Sequence, residues 1–289
     1  MGAAGRALIG GGVLLLLFVA YQLWGTGIHA ARAQSSLKSE FRAAVEAVTT
    51  SEPGADPAPP PEPVPGEAVA IIEIPKIGVD WAVVEGVGVP DLKKGPGHYP
   101  LTPMPGQLGN AAIAAHRTTY GAPFNRLDEL EPGDEITVTT RQGEFAYVVE
   151  TEQVVRPSQT EVLHPPADPE AALLTLTTCH PKFSARERLV VTARLAPEAE
   201  PAPAPERPAR RGDDGAGDVL AFESEGLSGD RAAARPTVLW GLAAAAVGLA
   251  VWLLGRRIAR LFWFVGAPVF LVVLFVFYEN VARLLPANI

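Results

Sequence analysis

Leu173-Leu174-Thr175-Leu176-Thr177-Thr178-Cys179 is the stretch on which the reading of the whole chain turns. It is apolar and rich in β-branched residues, and the breaker Pro181 follows closely. Residues two apart in a strand share a face. Thr175, Thr177 and Cys179 therefore lie on one side, and Leu174 and Leu176 on the other. The thiol stands at a strand end, the edge-of-loop position where reactive groups concentrate. A structural cysteine would more naturally occupy an apolar position inside a strand. On position alone, nucleophile and packing residue are evenly matched.

Six other segments around it read as short strands: 69–74, 82–85, 111–115, 135–140, 144–149 and 188–193. Arg141-Gln142-Gly143 between two of them is a hairpin signal. Phe124 to Leu130 reads as a helical turn between strands. Many short strands with Gly and Pro turns imply a closed barrel or a sandwich. The folded region, 66–196, has an ordinary single-domain size.

The flanks are of another kind. Ala7 to Trp24 carries no charge and centres on Val13-Leu14-Leu15-Leu16-Leu17-Phe18-Val19. Roughly 18 apolar residues suffice to span a bilayer. Ala31-Arg32-Ala33 resembles a signal-peptide cleavage site, but it lies far from the apolar centre, which favours an uncleaved anchor. Val238 to Leu254 and Leu261 to Tyr278 are two more apolar runs, joined by Gly255-Arg256-Arg257-Ile258-Ala259-Arg260. Arginines in so short a loop place it in the cytoplasm, so the two runs form a transmembrane hairpin. Arg6 and the free amino end put the start of the chain inside as well, which leaves the middle outside the cell.

Seven prolines between Glu52 and Pro65 make an extended, semi-rigid spacer. The stretch from Ala196 to about Arg235 opens with alternating Pro and Ala, turns Gly-rich and acidic, and lacks the apolar content to fold alone. Ala31 to Val48 is expected as an exposed helix. The chain of 289 residues thus divides into an anchor at 1–25, a stalk and Pro-rich linker at 26–65, a barrel at 66–196, a linker at 197–236 and a membrane hairpin at 237–289. A formal charge of −8 argues against nucleic acid as a partner, because phosphate binding needs clustered positive charge. A single cysteine excludes an internal disulfide and any multi-cysteine metal site. No His-Glu-x-x-His occurs, so neither metal nor cofactor is expected.

A cysteine nucleophile needs an acid–base partner. His116 ends a strand of small residues as Cys179 ends its own, so the two can meet across a barrel rim. His98 and His164 lie in Pro-rich loops and read as surface residues. His180 adjoins Cys179 but projects to the opposite side of an extended chain. Spacing favours His116 modestly. Acyl transfer also needs a donor for the oxyanion. Arg188 opens the strand after Cys179, and Arg186 competes with it because the two share a face.

Thr175-Leu176-Thr177-Thr178-Cys179, followed by Arg188-Leu189-Val190-Val191, resembles the Thr-Leu-x-Thr-Cys…Arg signature of sortases. Ala114-Ala115-His116-Arg117 is similar to the strand that leads to the sortase histidine. The segments 95–100, 105–110 and 116–124 resemble class E sortases of high-GC Gram-positive bacteria. The likeness covers Val69 to Leu195. The paired C-terminal runs are not part of the basic sortase plan. The Asp-Pro-aromatic lid of pilin-polymerising sortases is unsupported, since Ala58 follows Asp56-Pro57.

The resemblance implies a mainly β fold, a closed eight-stranded barrel, here with one N-terminal and two C-terminal membrane helices. It implies a transpeptidase with Cys179 as nucleophile, His116 as acid and base, and Arg188 holding the substrate backbone and the tetrahedral oxygen. Tyr120, Thr177 and Thr178 are implied as substrate-binding, Tyr120 through a preference for Ala at the second signal position. The implied substrates are surface proteins ending in a Leu-Ala-x-Thr-Gly or Leu-Pro-x-Thr-Gly sorting signal, cut between Thr and Gly. The acceptor is a peptidoglycan precursor or another amine, and membrane lipid surrounds the anchors. A cysteine peptidase using water and a pilin-polymerising sortase are the alternatives.

Overall fold

A computed structural model describes residues 2–49, 63–204, 231–257 and 261–284. Residues 50–62, most of the second linker and residues 258–260 lie outside the described residues. The chain forms two compact units, one built from the two ends and one from the middle.

The middle unit is a closed barrel of eight strands: β1 (Ala68–Ile74), β2 (Val79–Glu85), β3 (Gly97–His98), β4 (Gly109–Ala114), β5 (Glu135–Thr140), β6 (Gly143–Val155), β7 (Ala172–His180) and β8 (Glu187–Leu195). Their order around the barrel is β1-β2-β3-β4-β7-β8-β6-β5. The β2–β3 and β4–β7 pairs are parallel and the rest antiparallel. Alternation sends Ile72, Ile74, Ile113, Ile136, Val138, Leu174, Leu176, Leu189 and Val191 into one interior cluster. Tyr147 is the largest side chain fully inside it. Its hydroxyl accepts a hydrogen bond from the Gly106 N–H at 2.6 Å, and burial pushes its pKa up to about 12.

Closure depends on β3, a two-residue strand that pairs with β2 on one side and β4 on the other. It has no periodicity to read, and it corrects the expectation that His98 is a surface residue. His98 is 1% exposed. Its Nδ1 lies 2.8 Å from the buried Glu85 carboxylate and its Nε2 2.8 Å from the Pro103 carbonyl.

Helix α2 (Thr26–Thr49) is also not the exposed element expected over Ala31–Val48. Thr26, Ala30, Gln34, Leu37 and Phe41 are buried, and their spacing of four, four, three and four makes one helical stripe. Leu37 and Phe41 pack on Ala68, Ile71, Ala82 and Val84, the outward residues of β1 and β2. Gln34 sits at the buried centre and bonds Ala82 twice, accepting from its N–H at 2.7 Å and donating to its carbonyl at 2.9 Å. Beyond β8 the chain does not leave the barrel at residue 196. Ala202 is buried, its N–H donates to Gly106 at 2.7 Å, and Gln142 donates to Pro203 at 2.8 Å. A helical turn α3 (Val89–Leu92) links β2 to β3.

The second unit holds α1 (Ala3–Ala20), α4 (Ala234–Arg257) and α5 (Leu261–Leu284). Three helices are long and apolar enough to cross a membrane: one starting at Leu8, one over Ala234–Leu254 and one over Phe264–Ala282. Gly241 and Gly248 give Phe277 and Phe270 room between α4 and α5, since a Cβ there would meet those rings at 3.0 and 3.1 Å. The Tyr278 hydroxyl donates to the Leu14 carbonyl at 2.6 Å, which ties α5 to α1.

Candidate active site

The site is a consequence of strand register. In the parallel β4–β7 ladder the last paired positions are Ala114 and Thr177. Contact continues past them: the Ala115 N–H donates to the Thr177 carbonyl at 3.1 Å, and the Thr178 hydroxyl donates to the Ala115 carbonyl at 2.8 Å. His116 follows Ala115 directly, two residues past the end of β4. On the other side of β7, Cys179 pairs directly with Arg188 of β8. Directly opposed residues of an antiparallel pair project to the same face. Cys179 and Arg188 thus form one row across β7 and β8.

This row stands on the outer face, because Leu174 and Leu176 occupy the interior. Cys179 is half-buried. Arg188 is 8% exposed, and its guanidinium donates to the carbonyls of Ala185 and Glu187, both at 3.2 Å. Arg186, the competing arginine, lies exposed before β8 begins. Beside Cys179 a shallow groove runs along the same face. Thr177, Arg188 and Val190 belong to its strands, and the β6–β7 connection adds Arg156, Thr160, Val162 and Leu163. Tyr99 also lines it, its hydroxyl 3.3 Å from that of Thr177.

His116 is buried. Burial, assisted by the nearby Lys93 charge, pushes its pKa down to about 4, so the ring is neutral at pH 7. Among the described residues, two buried side-chain nitrogens have no hydrogen-bond partner, His116 Nε2 and Arg117 Nε. Unpaired buried polar atoms are costly, and both fall at this one place. The Tyr120 ring lies 5.0 Å from the His116 ring, and Lys93 Nζ is 5.6 Å from the Tyr120 centroid.

The turn after His116 is held in a strained form. Tyr120 and Ala122 have φ of 51° and 49°, which non-glycine residues rarely adopt. Contacts on both flanks hold it there: the Tyr120 N–H donates to Thr26 Oγ1 at 3.1 Å, and the Phe124 N–H returns to the His116 carbonyl at 3.2 Å. Gly121, at φ 79°, is required outright, because a Cβ there would stand 2.5 Å from the Trp81 ring.

Of the residues singled out from sequence, Cys179 and Arg188 are paired across β7 and β8, His116 lies two residues past the end of β4, Tyr120 stands against His116, and Thr177 lines the groove. Thr178 turns the other way and spends its hydroxyl on Ala115. Sequence reading missed Arg117 and Asp128. Arg117 is 3% exposed and reaches the Cys179 carbonyl at 3.1 Å and Asp128 at 2.8 Å. The parallel register that brings Arg117 to β7 leaves no trace in one sequence.

This fold matches a known class. Residues 72–196 match the family model described as the sortase domain. Sortase SrtE1 of Streptomyces coelicolor is 34% identical over 213 residues, covering 68% of this chain and 57% of that protein. Sortase D of Bacillus subtilis is 37% identical over 120 residues, 42% of this chain and 58% of its own length. The chain therefore spans somewhat under two thirds of each of these relatives. The solved structure of sortase E from Streptomyces avermitilis is 38% identical, covers 46% of this chain and 90% of that one, and superposes with a TM-score of 0.42. The chain belongs to the sortase family, a family of cysteine transpeptidases. Its likeness to SrtE1 runs 213 residues against 120 for Sortase D, and places it with class E.

Proposed function

We propose that the protein is a membrane-anchored extracellular transpeptidase in which Cys179 attacks the Thr carbonyl of a Leu-Ala-x-Thr-Gly or Leu-Pro-x-Thr-Gly sorting signal. The observation that carries this reading is the pairing of Cys179 with Arg188 beside a groove on the outer barrel face, with the buried His116 just past the end of the neighbouring strand β4. The neutral His116 ring takes the thiol proton as sulfur bonds to the carbonyl carbon. Negative charge builds on the carbonyl oxygen, where the Arg188 guanidinium stabilises it in a partly dry setting. The carbon–nitrogen bond breaks, the glycine amine leaves with the proton from His116, and a thioester remains. An incoming amine then attacks, gives its proton to His116 and releases the Cys179 thiolate. The acceptor is a cell-wall amine.

Substrate contact falls to Thr177 in the groove and to Tyr120 beside His116, while Thr178 serves by tying β7 to β4. The anchor at 1–25 and the hairpin at 237–289 hold the barrel at the membrane, and the segments at 26–65 and 197–236 connect them to it. Arg6 and the arginines between the two C-terminal apolar runs support an inside location for both.

The test incubates the full chain in detergent with both signal peptides, with and without a primary amine, and follows products by mass spectrometry. The reading expects a Cys179 thioester and amine-dependent transfer product. Hydrolysis unaffected by amine would replace transpeptidase with peptidase. Cys179→Ala should abolish both products. His116→Ala should slow turnover by roughly two to four powers of ten while leaving the thiol open to alkylation. Near-normal transfer by His116→Ala would refute the assignment.

A further inference from the structure

Arg117 directly follows His116 but takes no part in the chemistry above. Its guanidinium is nonetheless the most connected charged group at the site. Nη1 donates to the Cys179 carbonyl at 3.1 Å and lies 2.9 Å from His180 Nδ1. Nη2 lies 2.8 Å from Asp128 Oδ2. An arginine has only donors, so His180 Nδ1 must be the acceptor and its ring proton sits on Nε2. The backbone of Arg117 is fixed as well, since the Asn125 side-chain amide donates to its carbonyl at 2.8 Å. Lys182 Nζ, 4.0 Å from Asp128 Oδ1, is the other charge at this pair.

We infer that Arg117 is a positioning residue: clamped by Asp128, it fixes the Cys179 carbonyl and the His180 ring, and so sets where the thiol stands relative to His116 and Arg188. The reason is geometric. On its β4 side Cys179 lies beyond the last β4–β7 backbone pairing, and there only the β7–β8 ladder still holds the chain. The side chain of Arg117 replaces the β4–β7 ladder there with a charge-assisted bond to the residue that carries the thiol. A buried guanidinium is costly to keep without a counter-charge, and Asp128 supplies it from the 127–129 turn. Arg117 bonds the backbone carbonyl of the residue that bears the thiol, and a cation beside a cysteine as a rule promotes its reactivity. This inference rests on Cys179 being the nucleophile proposed above.

The experiment compares the full chain with Arg117→Gln, Arg117→Lys and Asp128→Asn. It measures single-turnover acylation and KM for a signal peptide, and the pH dependence of Cys179 alkylation by iodoacetamide, with thermal unfolding as the check on folding. Arg117→Gln should lower the acylation rate on the order of 10- to 100-fold, the scale of an ångström-level misplacement, with little change in KM. Its alkylation profile should shift to higher pH, which a purely structural role would not produce. Arg117→Lys should restore the alkylation profile but not the acylation rate, because one ammonium cannot bridge carbonyl, imidazole and carboxylate. Asp128→Asn leaves the guanidinium in place and carries the test if Arg117→Gln does not fold. A folded Arg117→Gln, or failing that a folded Asp128→Asn, with acylation within twofold of the parent would overturn the inference. Alkylation needs no sorting signal, so a wrong substrate leaves that arm readable. Transfer that survives in Cys179→Ala would instead sink the reading beneath it.

Discussion

His116 shows how one residue's environment sets its chemistry. An imidazole ordinarily titrates near pH 6.5, but burial and the Lys93 charge hold this one down to about 4. Because the folded value is lowered, the unfolded chain binds more protons between those two pH values. Its contribution to stability is therefore complete above pH 6.5 and is lost as the pH falls toward 4. In an NMR titration the His116 ring should stay neutral through pH 6, and Lys93→Ala should raise its pKa. A midpoint near 6.5 in the parent would contradict the burial argument. The two arginines differ as sharply. Arg188→Ala should slow acylation by roughly two to three powers of ten, the loss typical of an oxyanion donor, whereas Arg186→Ala, exposed and ahead of β8, should be mild. Single-turnover acylation separates them, and equal losses would refute the choice.

At the scale of elements, α2 and the segment after β8 bind to the barrel by ordinary burial. Phe41 is 2% exposed against β1 and β2, so Phe41→Ala should destabilise the barrel by about 3 to 5 kcal/mol, the usual cost of a lost core aromatic. Glu40→Ala, one residue away on the exposed side, should change stability little. Denaturant unfolding of the full chain reads both, and a Phe41→Ala change under about 1 kcal/mol would mean that the helix contributes little. The N-terminus of α2 also meets the catalytic turn, through Thr26 and the Tyr120 N–H. The helix thereby helps to hold the strained turn that places Tyr120 against His116.

At the scale of the whole molecule the prediction concerns topology. Three helices have the length and composition to cross a membrane, and the arginines between the last two apolar runs set the expected orientation. A reporter fused at Arg260 should behave as cytoplasmic and one fused at Gly229 as extracellular. The reverse pattern would remove the barrel from the cell surface and with it the proposed substrates.

The sequence alone determined whatever depends on local period. Leu174, Leu176 and the alternating threonines marked β7 and its inward face. The Arg141-Gln142-Gly143 turn marked the β5–β6 hairpin, and unbroken apolar runs marked the three helices long and apolar enough to cross a membrane. Of the proposed site, Cys179, His116 and Arg188 could be picked out from sequence, because each stands at a strand end beside a recognisable run. Tertiary structure alone decided the rest. β3 has two residues, too few for any period, yet it closes the barrel and buries His98 with Glu85. The stripe on α2 faces the barrel only because β1 and β2 present apolar outward residues to it. Arg117 reaches Cys179 because β4 and β7, 63 positions apart, run parallel in one particular register. Register between distant strands is fixed by the packing of the closed barrel, and no local pattern in either strand encodes it.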